Sequence, residues 1–207
     1  PAGAERVTGS AATATDRLAP EPAGASPFWA LVSTLLMQTL ATMAAFSLPA
    51  IAPAVGHATG VDAALVGYFV STVYGFGIIS AILSPSLIHR YGAVRISQVI
   101  MLSVLAMLAI AALGGLWAFA IGAIVLGLTY GATAPASTHL LVPRAKATSL
   151  NLMLSIRQIG VPLGGVLAAL LLPPIVVAAG WQPALLLQLA PSLVLFLLLE
   201  LPRRRWD

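Results

Sequence analysis

The sequence has no cysteine, which rules out disulfides and thiolate metal sites. Charge is nearly as scarce. Ten basic and six acidic side chains are spread over 207 residues, while 59% of the chain is hydrophobic. Such a chain cannot fill a soluble core and still keep a wet surface. No His, Asp and Glu cluster at metal-binding spacing, and neither a Ser–His–Asp constellation nor a Gly-Lys-Ser/Thr phosphate loop occurs. ATP-driven chemistry within the chain is therefore excluded, and the expectation is a non-enzyme with no metal and no cofactor. Lys and Arg do not cluster on any soluble segment, so nucleic acid is not an expected partner.

What the chain does have is six long apolar runs: Phe28–Val55, Ala64–Ile88, Ile96–Leu113, Leu116–Val142, Leu150–Val177 and Pro183–Leu201. Each reaches or nearly reaches the ~20 residues a helix needs to cross hydrocarbon. The expected fold class is an all-α membrane protein of six transmembrane helices, arranged as two successive three-helix repeats, with lipid as a partner. Arg90 and Arg95 lie between runs two and three, Arg144 and Lys146 between four and five, and Arg203, Arg204 and Arg205 after run six. The other connections hold only Asp62. Basic loops stay in the cytoplasm, so both termini are expected there. Trp29, Trp117, Trp181 and Trp206 mark the run ends, where indole rings favour the headgroup level.

Residues 1–26, rich in Ala, Gly, Pro, Ser and Thr, read as a disordered cytoplasmic tail, residues 27–202 as the membrane domain, and 203–207 as the start of a basic cytoplasmic linker. The tail lacks an apolar signal core, so a cleaved leader is not expected. The chain starts at Pro, consistent with a fragment or a processed product.

Runs three and six are mostly large aliphatics and read as lipid-facing. The other four carry small and polar residues. Run one places Thr34, Gln38 and Thr42 along one face. Run two has a Gly67, Ser71, Gly75 stripe, run four stacks Thr129, Thr133 and Ser137 beside Gly127 and Gly131, and run five aligns Gly160, Gly164 and Ala168 near Asn151, Ser155 and Gln158. Small stripes have a plain reading as close helix packing. Gln38 and Gln158 are costlier in lipid and point to a bundle interior or wet cavity. Pro135 and Pro162 lie deep enough to be functional bends. A Gly75-to-Pro85 spacing in run two echoes Gly164-to-Pro174 in run five, as expected of a repeat-built protein.

Over residues 28–205 the chain resembles the N-terminal half of a major facilitator superfamily transporter. Ser84–Arg95 (SPSLIHRYGAVR) is similar to the family's cytoplasmic Gly-x-x-x-Asp-Arg-x-Gly signature: Arg90 and Gly92 match, Arg95 supplies a displaced basic residue, and His89 and Pro85 replace the Asp and leading Gly. GLTYGATAPA (Gly127–Ala136) resembles the small-residue fourth helix, with Ala123 where an Arg is usual. RQIGVPLGG (Arg157–Gly165) resembles the Gly/Pro-rich fifth helix, one residue short of the strict antiporter motif. The resemblance implies alternating access, with helices one and four lining a central cavity, two and five facing a partner half, and three and six outermost. It also implies a missing C-terminal six-helix half, or a second copy, as partner. His89, Arg90, Gly92 and Arg95 would form a cytoplasmic gate loop.

Arg157 is the permanently charged residue well inside a run, at a cost of ~2.5–3.5 kcal/mol. No Asp or Glu lies inside a run to pair with it: Asp62 is in a loop and Glu200 is at the cytoplasmic end of run six. Either it attracts an anionic solute together with Gln158 and Gln38, or it snorkels to headgroups along its stem. His139 sits near the cytoplasmic end of run four, where an interfacial His is ordinary. The expected substrate pathway comprises Arg157, Gln158, Gln38, Thr42, Thr34, Asn151, Tyr130 and Thr133. Gly160, Pro162, Gly164, Gly165, Gly127, Gly131 and Pro135 are assigned to bends and close packing. The reading is a multi-pass permease of a bacterial inner membrane moving a small polar or anionic solute; the alternative is a non-transporting remnant or assembly partner.

Overall fold

The computed structural model of the chain describes residues 26–201. The expected tail, apart from Ser26, and the linker at 203–207 lie outside the described residues. Within them every long element is helical, and six helices are long and apolar enough to cross a membrane: Pro27–Ala50, Gly67–Tyr91, Ala93–Ala111, Leu116–Leu141, Ala147–Ala179 and Trp181–Leu198. A short helix, Ala52–Thr59, extends the first span outward, and a single 3₁₀ turn, Ala63–Leu65, leads into the second.

Connections are short. Gly92 alone joins the second and third spans, and Gly180 the fifth and sixth. Both take positive φ, 90° and 94°, which an L side chain resists. These tight turns alternate the direction of the spans. At one end of the bundle the His89 and His139 rings meet edge to face, with centroids 5.2 Å apart, and Gln98 Nε2 donates to Glu200 Oε2 at 2.8 Å. At the other end, Trp181 and Thr59 crowd Gly114, while Gln182 Nε2 donates to the Ala112 carbonyl at 3.1 Å. The connections after spans two and four therefore share an end with Arg90, Arg95, Arg144 and Lys146, and those after one, three and five share the opposite end.

Packing follows a swapped pattern. The first span lies along the fifth and the second along the fourth, while the third contacts both the fourth and the sixth. Exchanging spans one to three for four to six converts the first pairing into the second, the signature of two three-helix repeats. Polar links obey the same exchange: Ser103 on span three hydrogen-bonds Thr129 on span four, and Ser47 on span one donates to Gln188 on span six.

Prolines set the interruptions. The fourth span breaks at Gly131–Ala132, and Pro135 has no N–H for the Gly131 carbonyl. The fifth breaks at Ile159, and Pro162 leaves the Gln158 carbonyl in the same position. Pro85, Pro173 and Pro174 instead sit inside unbroken helices.

Two expectations change. The third span is not simply lipid-facing: Ile100, Met101, Met107 and Leu108 are fully buried in the core, while Val99 and Leu102 are exposed. Aliphatic composition cannot separate these environments, because lipid tails and protein core are equally apolar. On the second span, the Gly67 and Gly75 stripe meets nothing. Contact with the fourth span runs instead through Val73, Phe76 and Gly77, since that is where Gly127 and Gly131 remove side chains from the opposing helix.

Candidate functional site

The site is built by glycine. A Cβ at Gly160 would lie 2.9 Å from Gln38 Cβ, and one at Gly164 would collide with the Thr39 carbonyl and lie 2.8 Å from Thr42 Cβ. Bare backbone at these positions lets the fifth span sit directly on the first. Arg157 precedes Gly160 by three residues and so lies on the same face. Its Nη1 then donates to Gln38 Oε1 at 3.2 Å, and its Nη2 to Gln158 Oε1 at 2.5 Å.

From Gln38 the contacts continue across the bundle. Gln38 Nε2 donates to Thr42 Oγ1 at 3.2 Å, one helical turn on, and Thr42 Oγ1 shares a 3.2 Å hydrogen bond with the Tyr130 hydroxyl of the fourth span. The Tyr130 ring meets the Tyr74 edge at 5.4 Å, T-shaped. Gly127 and Gly131 hold the second and fourth spans together at this level: a Cβ at Gly131 would fall on the Gly77 carbonyl oxygen. A relay of polar groups thus links spans five, one and four, with span two closing the end. Gln38 lies at the middle of Pro27–Ala50 and Tyr130 near the middle of Leu116–Leu141, so the relay sits at mid-depth.

The charge in this relay is uncompensated. Arg157 is only 7% exposed, its Nε is buried without a partner, and its two acceptors are neutral amide oxygens. None of the six spans contains Asp or Glu. Its guanidinium turns toward Gln38 rather than along its stem to headgroups.

Of the other expected pathway residues, Thr34 and Thr133 are buried but bond their own helices, to the Ala30 carbonyl at 2.8 Å and the Tyr130 carbonyl at 2.8 Å. Asn151 is exposed, six residues from Arg157 and on a different face, and stands apart from the relay. Gln158 is exposed apart from its bond to Arg157. Gly165 differs from its neighbours, since a Cβ there would meet open space, so it is not a packing glycine within this bundle. Tyr74 is an addition: the run-two sequence shows an aromatic hydroxyl there, but nothing in it marks Tyr130 as the neighbour.

At the basic end, His89 contacts His139, and the Arg90 guanidinium lies 5.4 Å over the Tyr91 ring. Gly92 makes the turn, and Arg95 is exposed on the first turn of the third span. Arg144 donates to the Leu140 carbonyl at 2.7 Å, placing a cation on the terminal carbonyls of the fourth span.

The family model of the Major Facilitator Superfamily matches residues 34–206. The chain belongs to that superfamily. As a Major Facilitator Superfamily member it is a multi-pass membrane transporter, and the swapped three-helix units are its fold. No curated protein matches it.

Proposed function

We propose that this Major Facilitator Superfamily chain forms one six-helix half of a transporter that moves a small, polar or anionic solute by alternating access. The carrying observation is Arg157. A buried guanidinium at mid-depth, bound by two amide oxygens and lacking a carboxylate in any span, lacks a counter-charge. An anionic solute supplies one and adds charge-assisted hydrogen bonds, each worth ~1.5–3 kcal/mol. Gln158 flanks the guanidinium, and Gln38, Thr42 and Tyr130 offer neutral donors and acceptors deeper in the bundle.

A complementary six-helix unit, from the remainder of a longer chain or a second copy, supplies the opposite wall. Support comes from the exposed large apolar residues of the second span (Ile78, Ile79, Ile82) and the fifth (Ile159, Leu163, Val166). The basic end, with the His89–Arg95 turn acting as gate, faces the cytoplasm of a bacterial-type inner membrane.

The test is uptake of a panel of organic anions by the full-length protein in proteoliposomes. Arg157→Ala is expected to lower uptake of the transported anion at least about tenfold, with Arg157→Lys in between, since Lys keeps the charge but not the planar fork. Normal transport of every anion by Arg157→Ala overturns the reading.

A further inference from the structure

Away from the Arg157 relay, a second polar niche lies where the sixth span meets the first. Gln188 is 4% exposed, Ser192 1% and Ser47 0%. Gln188 and Ser192 stand four residues apart on one face of the sixth span. Ser47 Oγ lies 2.7 Å from the Met43 carbonyl and 2.9 Å from Gln188 Oε1, so its one proton is shared between two acceptors. Two polar atoms of the sixth span have no protein partner: Gln188 Nε2, with its two N–H bonds, and the Ser192 hydroxyl oxygen. Buried donors of this kind are rarely left unmade.

The niche is also a joint. The sixth span is interrupted at Leu187–Gln188, between helices Trp181–Leu186 and Leu189–Leu198, and Pro191 has no N–H to offer the Leu187 carbonyl. The first span ends at Ile51, one turn beyond Ser47, before the short helix Ala52–Thr59. Interrupted helices at membrane depth persist where side chains or ordered water re-satisfy the backbone and its neighbours.

We propose that one buried water molecule is bound here, bridging Gln188 Nε2 and Ser192 Oγ. The chemistry selects it. Unpaired N–H groups require an acceptor, which disfavours a metal cation. Spans one and six contain no Lys, Arg or His, so a buried anion would have no opposing charge. Water accepts from the amide and both accepts from and donates to a hydroxyl, and it keeps two to four polar partners when buried. It ties the interruption at Gln188 to the helix beyond it without a charge, while Ser47 holds the same amide to the first span, and it is independent of the solute carried.

The experiment is a structure of the full-length protein at a resolution that shows ordered water, with thermal unfolding of Ser192→Ala and Ser192→Thr in the same detergent. The expected result is a solvent peak within hydrogen-bond distance of Gln188 Nε2 and Ser192 Oγ. Ser192→Ala should lose the peak and lower Tm by roughly 2–4 °C, whereas Ser192→Thr, which keeps the hydroxyl, retains the peak. An empty niche, or a direct Gln188–Ser192 hydrogen bond, overturns the proposal. So does an unchanged or raised Tm for Ser192→Ala, because deleting a truly unpaired hydroxyl removes a penalty and not a bond.

Discussion

Arg157 Nη1 lies 3.2 Å from Gln38 Oε1, a contact between residues 119 positions apart that fixes the fifth span to the middle of the first. It places a cation beside an amide whose conversion to a carboxylate changes charge without changing shape. Gln38→Glu is therefore an informative variant. The new carboxylate forms a buried, charge-assisted pair with Arg157 and neutralises it. Thermal stability should hold or rise, while uptake of an anionic solute should fall more than about tenfold, since the counter-charge is already supplied; Tm and uptake measured on the same preparation separate these effects. Loss of stability together with unchanged transport would mean that Arg157 is not the anion's partner.

Tyr130 contributes a hydroxyl and a ring, and the two are separable. Its hydroxyl bonds Thr42 at 3.2 Å, and its ring meets Tyr74 edge to face at 5.4 Å. Tyr130→Phe removes one neutral hydrogen bond, worth about 0.5–1.5 kcal/mol, and is expected to raise KM by about two- to tenfold with little change in Tm. Tyr130→Ala also empties the contact with Tyr74 and should lower Tm by several degrees. Equal transport defects in the two variants would assign the role to the hydroxyl, and a defect confined to Tyr130→Ala would assign it to the ring.

The spans and their alternation were legible because length and charge placement are local properties of the sequence. Contact faces were not. The second span carries two small-residue faces, Gly67/Gly75 and Gly77/Ala81, and only the glycines opposite, at Gly127 and Gly131, determine which one packs. The third span's aliphatics read as lipid-facing because core and lipid reward the same side chains. In the candidate site, Arg157, Gln38, Thr42 and Tyr130 stood out as costly polar groups in apolar runs, yet their order in the relay depends on the approach of distant helices. Asn151 and Gly165 show the converse: Asn151 shares a run with Arg157 and Gly165 adjoins Gly164, yet Asn151 is exposed on another face and Gly165 faces open space.

Glycines in the fifth and fourth spans should split sharply on substitution. A Cβ at Gly131 would collide with the Gly77 carbonyl oxygen, and backbone cannot swing aside as a side chain can. Gly131→Ala should cost about 1–3 kcal/mol through overpacking, seen as a lower Tm and less monodisperse protein in detergent. Gly165→Ala meets open space on a helical backbone and should be neutral or stabilise by up to about 1 kcal/mol within this half. A destabilised Gly165→Ala in the full-length transporter would place a partner helix against that face.

The absence of cysteine from these 207 residues makes the topology directly measurable, since each thiol introduced here is the sole reporter within this six-helix unit. Ala64 follows Asp62 on the end of the bundle shared by Thr59, Gly114 and Trp181, and Ser149 follows Arg144 and Lys146 at the end where His89 meets His139. Ala64 is exposed, and Ser149 is half-buried with its hydroxyl bond to the Lys146 carbonyl at the exposed surface. With the basic end in the cytoplasm, a membrane-impermeant maleimide should label Ala64→Cys in intact cells. Ser149→Cys should react only after permeabilisation. Reversed labelling would invert the orientation and turn the His89–Arg95 gate outward. Labelling of both from outside would place two ends of one bundle on the same side of the bilayer, which six alternating spans cannot do, and the membrane-spanning fold itself would have to be abandoned.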